Sequence, residues 1–417
     1  MGRYIVNGMK RLEGEITVQG SKNASLPIMA ASLLCGGQTV LHNIANIEDV
    51  KTMKQILSTL GCKIRSENNA LIIDSSCLSS NVVSDKLVSK MRSSVMLMGA
   101  LLAKNKYSEF SMPGGCEIGL RPIDLHIKGL KSLGAKIREE HGYIIIDGTH
   151  LSAANVMLNY PSVGATENIM LASVFIKGVT SISNAAKEPE IIDLQNFLNK
   201  MGARVYGAGS NTIYIEGVEM LHGCEYDISC DRIVTGTYLC ATHLAGGKVF
   251  LRNATLENIK SAYYKLVESG LKIKSFSDGI LAESDGVVQA IDSIVTQPYP
   301  GFPTDLQPLF TAMLTKAKGT SIINETVFEN RYKFTSQLAR MGANIKIEGR
   351  IAIVSGVEKL SGATVYSQDL RGGAALVLAA LASQGRSVIE DTIHIERGYD
   401  NFVSTLKSIG ADIKSMN

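Results

Sequence analysis

The residues most able to do chemistry are a cysteine and an arginine in one glycine-rich segment. Residues 112–126 read MPGGCEIGLRPIDLH, which places Cys116 in a predicted loop and Arg121 five residues after it. A structural cysteine usually lies in an apolar helix or strand, whereas loops often carry reactive groups. A nearby guanidinium favours the thiolate and can hold an anion beside it. The segment predicts a reactive thiol or, in the plainer interpretation, a surface turn with an incidental cysteine.

Further charged residues lie at predicted element junctions in both halves of the chain. The basic ones are Lys22, Arg92, Arg121, Arg331, Arg371 and Arg397. Because arginine grips carboxylate and phosphate through paired hydrogen bonds, together they predict a site for a multiply anionic ligand. Singly, each could be a solvated surface charge. Asp305, at a predicted helix start, could be a general base or a helix cap.

Net charge, cysteine count and the length of the apolar runs indicate which classes of ligand and partner to expect. A net charge of +3, spread along 417 residues, is too small to favour nucleic acid, so an anionic small molecule is the better expectation. Seven cysteines without a CxxC pair argue against a disulfide framework and a structural zinc site. Apolar runs of about ten residues are half a membrane span. We expect a cytoplasmic protein with no membrane partner, no metal and no organic cofactor.

A helix, a glycine and an alternating strand recur along the chain. They predict the elements at whose junctions the charged residues lie. The glycines are Gly61, Gly134, Gly202, Gly270, Gly342 and Gly410. Glycine is favoured just after a helix, where the backbone turns left-handed, and the alternation that follows is typical of a strand. The pattern predicts six units of about 70 residues.

A second phrase alternates with the first: a helix rich in Ala, Leu and Met, followed by a short strand. These helices are apolar nearly all round, so they are predicted to be buried. The six units divide into two halves of three, with a boundary near Cys230. Two halves joined by a hinge would leave a cleft between them, where ligands commonly bind.

The polar motifs also resemble a known family. GSKNASLP, PGGCEIGLRPIDLH, PSVGATEN, NAAKEPEI, FPTDLQP, ETVFENR, DLR and ERGY are similar to segments of the UDP-N-acetylglucosamine enolpyruvyl transferases. The resemblance runs from Met1 to about Lys414. It implies an α/β fold of two inside-out domains, each of three repeated units, with the ligand cleft between them. It further implies an N-terminal domain of 21–229, which holds the Cys116 loop, and a C-terminal domain of 1–20 plus 230–417, which holds Asp305.

The resemblance implies a reaction as well. The enolpyruvyl group of phosphoenolpyruvate moves to the 3'-hydroxyl of UDP-N-acetylglucosamine by addition and elimination, with release of phosphate, in the first committed step of peptidoglycan synthesis. Cys116 would protonate the donor, form a covalent adduct with it and react with epoxide antibiotics of the fosfomycin type. Asp305 would be the base near the sugar hydroxyl. Lys22, Arg121 and Arg397 would hold the donor's anionic groups.

The resemblance places the remaining candidates beside one substrate or the other. Arg92 and Arg371 would lie near the donor. The candidates for the sugar nucleotide are Asn23, Pro122, Asp124, Leu125, His126, Ser162, Val163, Gly164, Val327 and Arg331.

Two departures and two alternatives stand beside this interpretation. Tyr160-Pro161 lies where some members have a lysine, and Gly372-Gly373 replaces small Ala or Ser residues, which we expect to loosen a loop. A shikimate-type transferase is the nearest alternative, and a catalytically inactive protein that senses the nucleotide sugar is the other. The oligomeric state is not predicted.

Overall fold

A computed structural model describes residues 2–83, 85–89, 91–111 and 123–416, so Cys116, Arg121 and Pro122 lie outside the described residues. The described chain folds into two compact units. The N-terminal unit comprises the described residues of 20–229, and the C-terminal unit comprises 2–19 and 230–416. Gly20 belongs to the N-terminal unit, and a side chain there would collide with the Asn43 carbonyl oxygen at 1.7 Å.

Each unit has a centre of three helices, which we call the inner helices. They are Lys22–Ala31, Leu97–Asn105 and Val163–Ser173 in the N-terminal unit, and Arg232–Ala245, Gln307–Leu314 and Leu370–Leu381 in the C-terminal unit. Nearly every side chain from the second turn onward is buried. This confirms the burial predicted from their apolar sequences, since a helix without a polar face must be enclosed on all sides.

Six amphipathic helices, the outer helices, cover the inner ones. They are Glu48–Thr59, Asp124–Ser132, Pro189–Lys200, Lys260–Glu268, Thr335–Arg340 and Phe402–Ser408. The repeated glycine is the second residue after each outer helix, and all six have φ between 90° and 106°. This left-handed backbone is what the sequence pattern predicts, because residues with a Cβ adopt it at a cost.

The described strands form six four-stranded sheets with one common order. Within each sheet the first pair of strands is parallel and the other pairs are antiparallel. In the N-terminal unit the sheets are Glu225–Asp227, Gln38–His42, Ala70–Asp74, Lys63–Glu67; Val82–Val83, Tyr107–Ser111, Tyr143–Asp147, Lys136–Glu140; and Asn155–Met157, Val179–Ser183, Thr212–Glu216, Arg204–Tyr206. In the C-terminal unit they are Leu12–Thr17, Gly247–Arg252, Gly279–Ser284, Lys272–Phe276; Ser293–Val295, Thr320–Asn324, Ile351–Ser355, Asn344–Glu348; and Thr364–Tyr366, Arg386–Glu390, Arg3–Asn7, Asp412–Met416.

The beginning of the chain completes two sheets of the C-terminal unit. Arg3–Asn7 pairs with both Arg386–Glu390 and Asp412–Met416, and Leu12–Thr17 pairs in parallel with Gly247–Arg252. A two-stranded sheet of Leu360–Ser361 and Ser383–Gln384 lies in the same unit. Because these two strands complete the sheets of the last and the first repeat of this unit, its fold joins segments that are distant in the sequence.

Short helices complete the secondary structure. They are the α-helices Asp85–Val88 and Ile393–Glu396 and the 3-10 helices Arg92–Met96, Glu257–Ile259 and Thr304–Leu306. None of the helices in the described ranges has the length and apolar character needed to cross a bilayer.

Candidate active site

Basic residues lie at the first turns of several inner helices. Lys22 begins one helix, whose cap Ser21 accepts a hydrogen bond from the Ala24 amide at 3.2 Å. Arg92 begins the 3-10 turn that leads into Leu97–Asn105, and Arg371 is the second residue of Leu370–Leu381. A cation at the positive end of a helix is unfavourable by itself, so each of these side chains needs a negative partner, either from the protein or from a ligand.

Lys22 is held inside the N-terminal unit by an acidic partner. Its Nζ lies 3.3 Å from Oδ2 of Asp49, and the Asp49 side chain is buried. The neighbouring candidate, Asn23, is half-buried in the first turn of the same helix. The ion pair fixes the lysine at the helix start, where its charge adds to the free amide groups of the turn.

His126 lies on an outer helix and faces the inner helix Val163–Ser173. Its side chain is only 8% exposed, and Nδ1 accepts a hydrogen bond from Nδ2 of Asn168 at 2.7 Å. Burial, together with the Arg92 charge and against the opposing effect of Asp124, lowers the pKa of His126 to about 4. The imidazole is therefore neutral at physiological pH.

The turn that enters Val163–Ser173 is a second helix start of this unit that carries candidate residues. Ser162 caps the helix by accepting a hydrogen bond from the Ala165 amide at 3.3 Å. A Cβ on Gly164 would lie 2.9 Å from Cε1 of His126, so glycine is required where this turn meets the ring. Of the other candidates here, Asp124 is exposed and Leu125 is half-buried against the core.

In the C-terminal unit, Asp305 lies between two buried arginines. Its Oδ1 is 2.8 Å from Nη2 of Arg331, and its Oδ2 is 3.5 Å from Nη2 of Arg371. Both arginine side chains are 2% exposed, whereas the aspartate is 28% exposed. A carboxylate that touches solvent between two buried guanidiniums can accept a further hydrogen bond from a ligand, because each oxygen has two lone pairs.

A third inner helix joins this cluster through its cap residue near Arg371. Burial lowers the pKa of Arg371, but the interactions with Tyr399 and Asp305 outweigh it, and the pKa lies above its ordinary value. Asp231, the cap of Arg232–Ala245, acts in the same direction. The first turns of all three inner helices of the C-terminal unit therefore meet around Arg371.

A buried carboxylate, Glu325, organises the neighbouring loop. Its Oε1 accepts hydrogen bonds from the amides of Val327 and Phe328 at 2.8 and 3.1 Å and from Thr296 Oγ1 at 2.9 Å. Its Oε2 accepts one from Thr304 Oγ1 at 2.9 Å. Since Thr304 directly precedes Asp305, one side chain fixes both the Val327 loop and the turn that carries the candidate base.

Arg397 follows the short helix Ile393–Glu396 and is half-buried. The side chain of Gln19 holds the next residues: its Nε2 donates to the Gly398 carbonyl at 3.2 Å, and its Oε1 accepts from the Asp400 amide at 2.7 Å. Gln19, which follows the strand Leu12–Thr17, thereby supports the backbone beside Arg397.

Comparisons with known proteins decide the family. Two sequences from Caldanaerobacter subterraneus subsp. tengcongensis, named UDP-N-acetylglucosamine 1-carboxyvinyltransferase 2 and 1, are 51% and 48% identical over 413 and 411 residues, covering 99% of each chain. A third, from Halothermothrix orenii, is 45% identical over the full length of both chains. The chain belongs to the UDP-N-acetylglucosamine 1-carboxyvinyltransferase family. The sequence pattern of EPSP synthase (3-phosphoshikimate 1-carboxyvinyltransferase) matches residues 6–406.

Solved structures confirm the fold at low sequence identity. The enolpyruvyl transferase NikO from Streptomyces tendae superimposes with a TM-score of 0.90 at 21% identity, covering 100% of this chain and 99% of that one. EPSP synthase from Acinetobacter baumannii superimposes with a TM-score of 0.75 at 20% identity over both full chains. The α/β class and the two-domain architecture are confirmed.

Within each unit, the structure brings some of the predicted site residues together. Asp305, Arg331 and Arg371 form one cluster, and His126 adjoins Gly164. The amide of Val327 is used by Glu325. Among the described residues there is no group of His, Cys, Asp or Glu that could hold a metal ion.

One expectation from the sequence was wrong. Gly372 and Gly373 lie in the first turn of Leu370–Leu381 and are buried, so they do not loosen a loop. A Cβ on Gly373 would lie 2.2 Å from Oγ of Ser367, which shows that the helix start is tightly packed there.

Two polar residues of these sites, Asn168 and Glu325, are not among those predicted from the sequence. Asn168 stands in the middle of an otherwise apolar helix, and a polar residue in such a place was a usable signal. Glu325 directly follows a strand, where nothing in the sequence separates a buried carboxylate from an exposed one.

Proposed function

We propose that this chain transfers the enolpyruvyl group of phosphoenolpyruvate to the 3'-hydroxyl of UDP-N-acetylglucosamine and releases phosphate. The observation that carries the proposal is 43–51% identity, over nearly the whole length, to relatives named for this carboxyvinyl transfer. The product would enter peptidoglycan synthesis. Because both substrates are multiply charged and do not cross a bilayer unaided, we place the reaction in the cytoplasm.

The distribution of charge supports an anionic donor. Phosphoenolpyruvate carries a phosphate and a carboxylate, and its charge must be balanced while phosphate departs. The proposal assigns the donor to Lys22, Arg92, Arg121, Arg371 and Arg397. It assigns the sugar nucleotide to Asn23, Pro122, Asp124, Leu125, His126, Ser162, Val163, Gly164, Val327 and Arg331.

Asp305 is the proposed base for the acceptor hydroxyl. Its Oδ2 lies at the limit of hydrogen-bonding distance from Arg371, while Oδ1 is firmly held by Arg331. Oδ2 is therefore the oxygen better able to take a proton. The short contact to Arg331 aims the carboxylate, as general-base catalysis requires.

The proposed steps balance in protons and electrons. Cys116 donates a proton to C3 of the donor, the sugar oxygen forms a bond to C2, and Asp305 takes the hydroxyl proton. The Cys116 thiolate then takes a proton back from C3, the C2–O bond to phosphate breaks as the enol ether forms, and Asp305 passes its proton to the departing phosphate. A thiol with an ordinary pKa of ~8.5 can be tuned toward neutrality for the first step.

Phosphate release from phosphoenolpyruvate tests the donor and the acceptor together. We expect release that requires UDP-N-acetylglucosamine and stops after fosfomycin treatment, with a mass adduct on Cys116. Because the matching sequence pattern is that of EPSP synthase, 3-phosphoshikimate is the control acceptor, and we expect no release with it. Phosphate release that occurs with 3-phosphoshikimate but not with UDP-N-acetylglucosamine would contradict the proposal. Release in the absence of any acceptor would contradict it as well.

Replacement of the candidate acid tests its role. Cys116→Ser should bind UDP-N-acetylglucosamine normally but lose about 100-fold or more in turnover, because a hydroxyl is a far weaker acid than a thiol. Cys77→Ser is the matched control, since Cys77 is a free and exposed cysteine. Unchanged turnover in Cys116→Ser would remove this thiol from the mechanism.

A further inference from the structure

The ring of His126 is held at one nitrogen by a residue that does not itself reach the surface. Asn168 is completely buried in the inner helix Val163–Ser173. Its Nδ2 lies 2.7 Å from Nδ1 of His126, and the histidine side chain is itself more than nine-tenths buried. The contact therefore depends on which hydrogens each group carries.

The orientation of the Asn168 amide is fixed by two backbone groups. The Gly99 amide can only donate, and it lies 2.7 Å from Oδ1 of Asn168. The Val95 carbonyl can only accept, and it lies 2.9 Å from Nδ2. Both contacts require the same assignment of oxygen and nitrogen, which places the second hydrogen of Nδ2 on the line to His126.

This network assigns the tautomer of His126. Because Nδ1 accepts a hydrogen bond, the neutral ring must carry its proton on Nε2. Among the described residues, no hydrogen bond reaches Nε2. An ideal Cβ on Gly164 would lie 3.2 Å from Nε2, so the unpartnered N–H is next to the first turn of Val163–Ser173.

We propose that Asn168 is a positioning residue that holds His126 as the Nε2–H tautomer, so that the ring donates a hydrogen bond to a diphosphate oxygen bound at the first turn of Val163–Ser173. The diphosphate would be that of the acceptor substrate, and in this the proposal rests on the proposed function. Asn168 reaches the ligand only through His126 and is not a catalytic residue.

The tautomer matters because the two ring nitrogens act oppositely on an anion. An Nε2–H adds a donor to the amide groups that a helix N-terminus offers, whereas an Nε2 lone pair would repel a phosphate oxygen. A neutral donor also costs less to bury than an imidazolium. The inner helix thus supplies both the amide groups and, through Asn168, the orientation of the histidine proton.

The tautomer can be measured without any substrate. Long-range 1H–15N correlation spectra of the 15N-labelled full chain distinguish protonated from unprotonated imidazole nitrogens, and His126→Gln identifies the signal. We expect an unprotonated Nδ1 and a protonated Nε2 in the wild type. In Asn168→Asp, which has no donor, we expect the proton on Nδ1. A wild-type ring protonated on Nδ1 would overturn the proposal.

Uridine diphosphate then tests recognition. We expect it to shift the Nε2 signal in the wild type and to bind about tenfold more weakly to Asn168→Asp, the scale of one hydrogen bond to a charged group. Ser173→Ala, a buried polar change at the far end of the same helix, should leave the affinity unchanged. The KM for phosphoenolpyruvate should change less than twofold in Asn168→Asp, because the donor does not use this contact.

The outcomes separate this proposal from the proposed function. No response of the His126 signals to uridine diphosphate would overturn the positioning role, whatever the activity. A clear response without phosphate release from phosphoenolpyruvate would support the positioning role and contradict the proposed function. If Asn168→Asp fails to fold, the wild-type spectra and His126→Gln, which should weaken uridine diphosphate binding about tenfold, decide the matter.

Discussion

The two units use the first turns of their inner helices in different ways. In the N-terminal unit, His126 is a neutral ring oriented by a buried amide. In the C-terminal unit, Asp305 is a charged group held by two buried arginines. The repeats that carry these sites share one order of strands and helices, so the difference comes from side chains rather than from architecture.

The difference has a chemical reason under the proposed function. A diphosphate that is only bound needs donors, and neutral donors at a helix start supply them without burying another charge. A base that must take a proton needs a negative charge, and two buried guanidiniums hold the Asp305 carboxylate in place through ion pairs. Orientation by an amide network and orientation by ion pairs are two solutions to the same requirement for a fixed side chain.

Removal of the charge at Asp305 should have the largest effect. Asp305→Asn should lower kcat for phosphate release about 1,000-fold, since the amide cannot take the hydroxyl proton. Its melting temperature should also fall, because Arg331 and Arg371 lose their shared counter-charge. Asp292→Asn, an exposed change in the same unit, is the control for both measurements. An unchanged kcat would show that Asp305 acts only in structure.

Substitution of Glu325 tests whether the Asp305 cluster of the C-terminal unit also depends on hydrogen bonds. Glu325→Ala removes a buried acceptor of four hydrogen bonds and should lower the free energy of unfolding by about 3 kcal/mol. Glu325→Gln should cost about 1 kcal/mol, because its oxygen can still accept from the amides and the Thr304 hydroxyl can accept from its NH₂ group. Urea denaturation of both variants measures this, and equal losses would contradict the assigned contacts.

The pH dependence of the unfolding free energy tests the neutral state of His126 in the N-terminal unit. The folded pKa of His126 is lowered to about 4 from 6.5, so between these values the unfolded chain binds a proton that the folded chain does not. The stability that His126 contributes is therefore complete above pH 6.5 and is lost as the pH falls toward 4, by at most about 3 kcal/mol. The difference in unfolding free energy between wild type and His126→Gln should follow this course, and a difference independent of pH would contradict it.

Much of the fold could be predicted because its signals are local. A glycine after each outer helix predicts a left-handed backbone, and an apolar sequence along each inner helix predicts burial. The structure has both. The site was harder. Asp305 and Arg371 stand 66 residues apart, and their types indicate anion chemistry without indicating that they touch.

The sequence by itself determined the six repeats, the buried helices and the residue types from which a site for anions could be made, because periodicity and backbone preference act over a few residues. Only the tertiary structure decided which groups share hydrogen bonds and charge: Asn168 with His126, Glu325 with the turn before Asp305, and two arginines with one carboxylate. Such contacts join helices and loops distant in the chain, and the low dielectric of the interior gives them their strength.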